Sequence, residues 1–173
     1  MEEVSLVIMA AGLGSRFGAP KQLVPVGPKD EIFLDYAIEQ AIEVEIKKVV
    51  VVTRSILNEQ LKKHLFKYKQ SDLDIKIYAD GADVAEIVKM DSENQVDGFT
   101  TNPTLMKKSG ITDYLSIAKE ALSHIKDLPI SFEVFSDELD EMKIQAHKLR
   151  DLAENVYVKI PVMNTKKQPT YDL

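Results

Sequence analysis

The chain has no cysteine. That absence excludes disulfides, thiolate metal sites and a cysteine nucleophile. Cations are in short supply as well: 22 Lys and Arg stand against 28 Asp and Glu, for a formal net charge of -6. A phosphate backbone demands a surplus of Lys and Arg, so a general nucleic-acid binder is excluded, while a small anion held by a few local groups is not. No apolar run is long enough to span a bilayer. The opening MEEVSLVIMAAG is acidic where a signal peptide is basic, and it runs into glycine. A cytoplasmic soluble protein is the expectation. The 173 residues, 45% hydrophobic and 29% charged, have a globular composition and suit one domain or two fragments of larger ones.

What the chain does contain is alternation. Apolar, β-branched runs recur as SLVIMA, KKVVVVT, DIKIYA, GFTT, ISFEVF and NVYVKIPV. Between most of them lie segments of helical period. Leu34, Ala37, Ile38, Ala41 and Ile42 follow one such pattern, and Leu115, Ala118, Leu122 and Ile125 another. Leu139, Met142, Ala146 and Leu149 form a third, behind Ser136 as the expected cap. Strands alternating with helices predict an α/β fold with mainly parallel strands and crossover helices. The polar segment 67–74 (KYKQSDLD) lacks apolar period and reads as a linker between residues 1–66 and 75–173. The tail from Asn164 (NTKKQPTYDL) is polar and is expected to close on no element.

Residues 6–26, LVIMAAGLGSRFGAPKQLVPV, carry a strand into a glycine-rich turn followed by Arg16 and Lys21. Glycines let backbone N–H groups approach a phosphate, and two cations can neutralise it. The turn is not the dinucleotide fingerprint, because the third glycine is not where that motif needs it. The longer string AAGLGSRFGAPKQLVPVG resembles the signature of the sugar-phosphate nucleotidyltransferase family over residues 4–66. The resemblance implies a Rossmann-like partial nucleotide-binding segment in which Gly12, Gly14, Arg16 and Lys21 hold a nucleoside triphosphate, with Mg if the segment functions. Neither a base-recognising glycine motif nor a metal-binding aspartate on a third strand follows.

The later strands share another design. Asp80 ends DIKIYAD, Thr100, Thr101 and Asn102 follow GF, Glu133 lies in ISFEVF, and Lys159 interrupts NVYVKIP. In a parallel barrel such strand ends gather at one mouth, where catalytic residues sit. A lysine in an apolar pocket has its ammonium form disfavoured, and its neutral amine can form a Schiff base with a ketone. Carboxylates such as Asp80 and Glu133 can shuttle protons beside it, and Asn102 can hold a hydroxyl without adding charge.

YADGADVAEIV, DGFTTNPTLMKKSG, SFEVF and ENVYVKIPV together resemble the first four strand units of the transaldolase family, especially its fructose-6-phosphate aldolase-like branch. The resemblance implies half of a TIM (β/α) barrel and a class I aldol transfer or cleavage on sugar phosphates. By it, Lys159 is the Schiff-base lysine, Asp80 the proton-transfer aspartate, Asn102 a substrate ligand and Glu133 a water-orienting group. Thr100 and Thr101 line the same mouth. It implies no metal and no organic cofactor. Only four strand units of an eight-stranded barrel are present, so the chain reads as truncated or as a fusion whose second half is missing, with edges expected to favour self-association. Two alternatives stand beside the aldol reading: synthesis of a nucleotide sugar, and an inactive α/β fragment that self-associates. His64, His124 and His147 lie on separate helices without metal-ligand spacing and read as structural or solvated. The run DELDEMK (137–143) reads as a helix first turn and not as a carboxylate dyad.

Overall fold

The computed structural model describes residues 4–12, 21–54, 58–68, 71–101 and 113–173, the side chains of Lys21 and Asn58 excepted. The chain divides into two compact units, Met1–Asp80 with Gln95–Asp97, and Gly81–Asn94 with Gly98–Leu173.

In the first unit, the valine-rich Lys48–Thr53 forms β2, a strand whose β-branched side chains suit a pleated, buried surface. Val49, Val51 and Thr53 on it are fully buried. Strands β1 (Ser5–Met9) and β3 (Asp74–Asp80) flank β2, both parallel to it. The registers run from Ser5↔Lys48 to Met9↔Val52, and from Lys48↔Asp74 to Thr53↔Ala79. Parallel neighbours need crossovers, and these contain α1 (Phe33–Glu43) and α2 (Asn58–Leu65), the latter running into a 3-10 turn at Phe66–Tyr68. Helix α1 buries Leu34, Ile38 and Ala41 at helical spacing, while Phe33 and Ile42 face solvent.

Asp35 joins the two crossovers. Ile32, at the start of α1, has no side-chain acceptor, and its N–H donates instead to Asp35 Oδ2 at 2.9 Å. The Asp35 carboxylate is fully buried and also receives His64 Nε2 at 2.8 Å, Lys67 Nζ at 2.7 Å and Tyr68 Oη at 3.0 Å. Burial alone pushes its carboxyl up. Lys67, the Ile32 N–H, His64 and Tyr68 outweigh that and hold it below the ordinary carboxylate value. His64 is thus a structural histidine. Burial, with the Asp35 carboxylate beside it, pushes the Tyr68 hydroxyl well up.

Segment 67–74, expected as a linker, lies inside the first unit. Lys67 and Tyr68 hold Asp35, Ser71 donates through N and Oγ to the Tyr68 carbonyl at 2.9 and 2.6 Å, and β3 begins at Asp74. The units divide after Asp80, because β3 pairs along its length with β2 and buries Ile77 and Ala79. Asp97 joins this unit by pairing both ways with Ile77: its N–H donates to the Ile77 carbonyl at 2.8 Å, and its carboxylate accepts the Ile77 N–H at 2.9 Å.

The second unit contains α3 (Val84–Ser92), β4 (Gly98–Thr100), α4 (Tyr114–His124), β5 (Ile130–Glu133), α5 (Leu139–Arg150) and β6 (Val156–Lys159). Asp83 and Asp113 cap α3 and α4 by accepting the N–H of Glu86 and Ser116 at 3.0 and 3.1 Å. Ser136 is not the cap of α5: that helix starts at Leu139 behind Glu138, whose own side chain makes no capping bond, and Ser136 Oγ accepts the Glu138 N–H at 3.4 Å. The strands are parallel, with β4 against β5 at Phe99↔Ile130 and Thr100↔Ser131, and β5 against β6 from Ile130↔Val156 to Glu133↔Lys159. Phe99, Ile130 and Phe132 are fully buried, and Ile87, Met90, Ala118, Ala121, Met142 and Leu149 complete the core from the helices.

The tail does close on an element. Asn164 Nδ2 donates to the Asp137 carbonyl at 3.1 Å, and the Thr165 N–H donates to Asp137 Oδ1 at 2.8 Å. Lys166 pairs with Glu138, and Met163 bridges Pro169. The acidic residues before α5 therefore serve as anchors for the tail. The Thr165 hydroxyl and N–H hold the Asp137 carboxyl below its ordinary value. The class is α/β, with Rossmann-like βα units followed by βα units of the half-barrel kind.

Asp35→Asn tests the hub of the first unit. It keeps the side-chain shape but strips the charge from three donors, and should lower the urea unfolding free energy by roughly 1–3 kcal/mol at neutral pH. Because the folded carboxyl sits below its unfolded value, its contribution is complete above the unfolded value and lost as pH falls through the folded one. The gap between wild type and Asp35→Asn should therefore narrow below about pH 4. A gap of constant size under acid would show that the charge is not its source.

Candidate functional site

Side chains alternate across a strand, so register decides which of them meet. Glu133 pairs with Lys159, Ser131 with Tyr157 and Thr100 with Ser131. These five residues share one face, and the buried Phe99, Ile130 and Phe132 occupy the other. Lys159 is thus a charge in an apolar strand because that strand has two unlike faces. Its Nζ donates to Thr100 Oγ1 at 3.0 Å and lies 3.4 Å from Glu133 Oε2. The Lys159 and Glu133 side chains are 36% and 35% exposed, whereas Thr100 is buried. In place of the apolar pocket expected around Lys159, the described residues supply a carboxylate and a hydroxyl.

Thr101 stands next to this group and is buried, with N–H and Oγ1 both donating to the Ser131 carbonyl at 2.9 and 3.2 Å. The end of β5 is held by Tyr114, in the first turn of α4, whose hydroxyl accepts the Glu133 N–H at 2.8 Å. The Tyr114 ring meets Phe132 and Phe135 edge-on, with centroids 6.1 and 5.7 Å apart. Burial raises the Tyr114 hydroxyl above its ordinary value, against the opposing hydrogen bonds from Thr101 and the Glu133 N–H. Sequence reasoning did not single out Tyr114. Its only signal was an aromatic residue directly after a helix-capping aspartate.

Asp80 is the last residue of β3, half-buried, in the first unit. Asn102 lies outside the described residues. So do Gly14, Arg16 and the Lys21 side chain. Gly12 is exposed, and its carbonyl accepts the side-chain amide of Gln22. Arg54, just past β2, donates from Nε to the Ala11 carbonyl at 2.8 Å. The backbone entering the glycine turn is therefore gripped by two side chains that the sequence did not mark. Gln22 is buried, and its Oε1 has no hydrogen-bond partner among the described residues. Among the described residues no group of three or more His, Asp or Glu gathers to hold a metal ion, and no helix is long and apolar enough to cross a membrane.

Comparison with known proteins matches residues 77–168, more than half of the chain, to the family described as Transaldolase/Fructose-6-phosphate aldolase. The chain belongs to this family. Residues 6–83 match the MobA-like NTP transferase domain. Both resemblances read from the sequence are thereby borne out, and the two matches overlap over residues 77–83, from within β3 to just past its end. Proteins described as probable transaldolases from Dinoroseobacter shibae, Novosphingobium aromaticivorans and a Ruegeria species are 41%, 39% and 36% identical to this chain over 88 residues. Each match covers 51% of this chain and 40% of the relative. The chain thus spans about two fifths of the length of these curated relatives.

An ion pair this exposed contributes little to stability. Glu133→Gln and Lys159→Met should each change the urea unfolding free energy by less than about 1 kcal/mol. A loss of several kcal/mol in either variant would mean that the pair serves the fold.

Proposed function

We propose that the chain carries the Schiff-base part of a class I aldol site acting on sugar phosphates. The observation that supports this most is the convergence of Lys159, Glu133 and Thr100 on one face, in a chain of the transaldolase family. Three neighbouring parallel strands, each giving one member of the Lys159–Glu133–Thr100 group to the same face, build a site from rigid elements.

In this reading the Lys159 amine adds to the substrate ketone, and loss of water leaves an iminium. By the family resemblance, Asp80 takes the proton from the hydroxyl on the carbon at the far end of the bond to be cleaved. That carbon–carbon bond breaks, its electron pair moves into the iminium to give an enamine, and an aldehyde departs. The enamine then adds to an acceptor aldehyde or takes up a proton, and water hydrolyses the resulting iminium to restore the amine. Glu133 orients the water, Asn102 holds a substrate hydroxyl, and Thr100 and Thr101 line the mouth. The chemistry calls on no metal and no organic cofactor. Borohydride reduction in the presence of fructose 6-phosphate should add one substrate-derived mass to Lys159, and Lys159→Met should abolish it. Absence of any adduct on Lys159 across a panel of sugar phosphates, in this chain and in one extended to a complete barrel, would overturn the reading.

A second reading, nucleotide binding by the first unit, is supported by the match to the MobA-like NTP transferase domain and by the gripped backbone at Ala11 and Gly12. Gly12, Gly14, Arg16 and Lys21 would hold the triphosphate. Calorimetric titration with a nucleoside triphosphate and Mg should show saturable binding that Arg16→Ala removes. A flat titration, or one indifferent to that substitution, excludes this reading.

A further inference from the structure

The β4–β5 ladder ends in an unusual way. Along one edge of a parallel strand, alternate residues bond to the same neighbour. On β5, Ile130 and Val134 donate toward β6, to the carbonyls of Asn155 and Lys159 at 3.0 and 3.1 Å. Ser131 and Glu133 therefore turn their N–H groups toward β4. The last rung on that side is the Thr101 N–H on the Ser131 carbonyl, at 2.9 Å. The next donor, Glu133 N–H, would continue the ladder to the Thr101 carbonyl, but Tyr114 Oη takes it at 2.8 Å. A side-chain oxygen stands where a strand carbonyl would, at the residue whose carboxylate meets Lys159.

We propose that Tyr114 is a positioning residue for Glu133: its hydroxyl fixes the end of β5 so that the Glu133 carboxylate reaches the Lys159 ammonium. The proposal rests on the aldol reading for its purpose, since a fixed carboxylate beside the reacting amine matters only if that amine reacts. The elements involved form a chain of contacts. Thr100 on β4 accepts from Lys159 on β6, Lys159 pairs with Glu133 on β5, and the Glu133 N–H donates to Tyr114 on α4. The ring is clamped edge-on between Phe132 and Phe135, which leaves its oxygen little room to move. Hydroxyl and ring are separable: Tyr114→Phe deletes one oxygen and keeps the clamp.

The test measures methylation of Lys159 by formaldehyde and cyanoborohydride in the full chain as a function of pH, located by peptide mass spectrometry. Among the described residues, the groups that face the amine are the Glu133 carboxylate from β5 and the Thr100 hydroxyl from β4. Glu133→Gln removes the carboxylate, which favours the neutral, reactive amine and should move the profile to lower pH. Tyr114→Phe should move it in the same direction by at least half as much, and the double variant should match Glu133→Gln alone. Phe132→Leu loosens the clamp but keeps the hydroxyl. It should lower stability and move the profile by less than half as far as Tyr114→Phe does, which separates loss of the hydroxyl from general loosening. A Tyr114→Phe profile that coincides with wild type overturns the proposal. So does a Phe132→Leu shift as large as that of Tyr114→Phe, or a Glu133→Gln profile that does not move. Methylation involves no sugar phosphate, so failure of the aldol reading would appear only in the borohydride experiment and would not be mistaken for failure here.

Discussion

The pairing of Glu133 with Lys159 governs which side chains of the second unit can meet. A slip of β6 by one residue would bring Val158 or Ile160 opposite Glu133 and turn the lysine toward Phe99, Ile130 and Phe132. Burying an ammonium among those apolar side chains would cost far more than the exposed pair contributes. The apolar face therefore fixes the register, and the polar face inherits its geometry from it. The ion pair at 3.4 Å is a consequence of packing on the opposite side of the sheet.

Tyr114 and Asp35 show the same logic in polar form. Each is one side chain that satisfies backbone or side-chain groups the regular ladder leaves open: the Glu133 N–H in one unit, and the Ile32 N–H with three side-chain donors in the other. Buried polar groups of this kind must be fully matched. Such centres rigidify the ends of strands and helices, where functional residues stand, without adding to the apolar core.

All six strands were legible because β-branched runs bounded by helical periods leave few other readings. Lys159 was legible as an anomaly, a charge in an apolar strand, and its company with Glu133 and Thr100 followed from the parallel order of strands. What escaped was tertiary. Asp35 in FLDYAIEQ looks like an ordinary first-turn acid, and only the arrival of His64, Lys67 and Tyr68 from the next crossover makes it a hub. For the same reason a polar stretch such as KYKQSDLD read as a linker, since its apolar period is absent while its hydrogen bonds are invisible in a string. The surroundings of Lys159 were misjudged because neighbours in sequence are apolar, whereas neighbours across the sheet are not. The tail at Asn164–Gln168 closes through pairings with Asp137 and Glu138 that span 27 or 28 residues.

The second half of strand β3, residues 77–80, falls inside both family matches, as the last strand of one and the first of the other. Parallel strands are modular, since a strand asks of its neighbour only a compatible register and a face of the right polarity. Two coding sequences can therefore be spliced within such a strand with no spacer between them. A search for joins of this sort would look for one shared strand that two ancestries both claim, rather than for a flexible stretch between two finished domains.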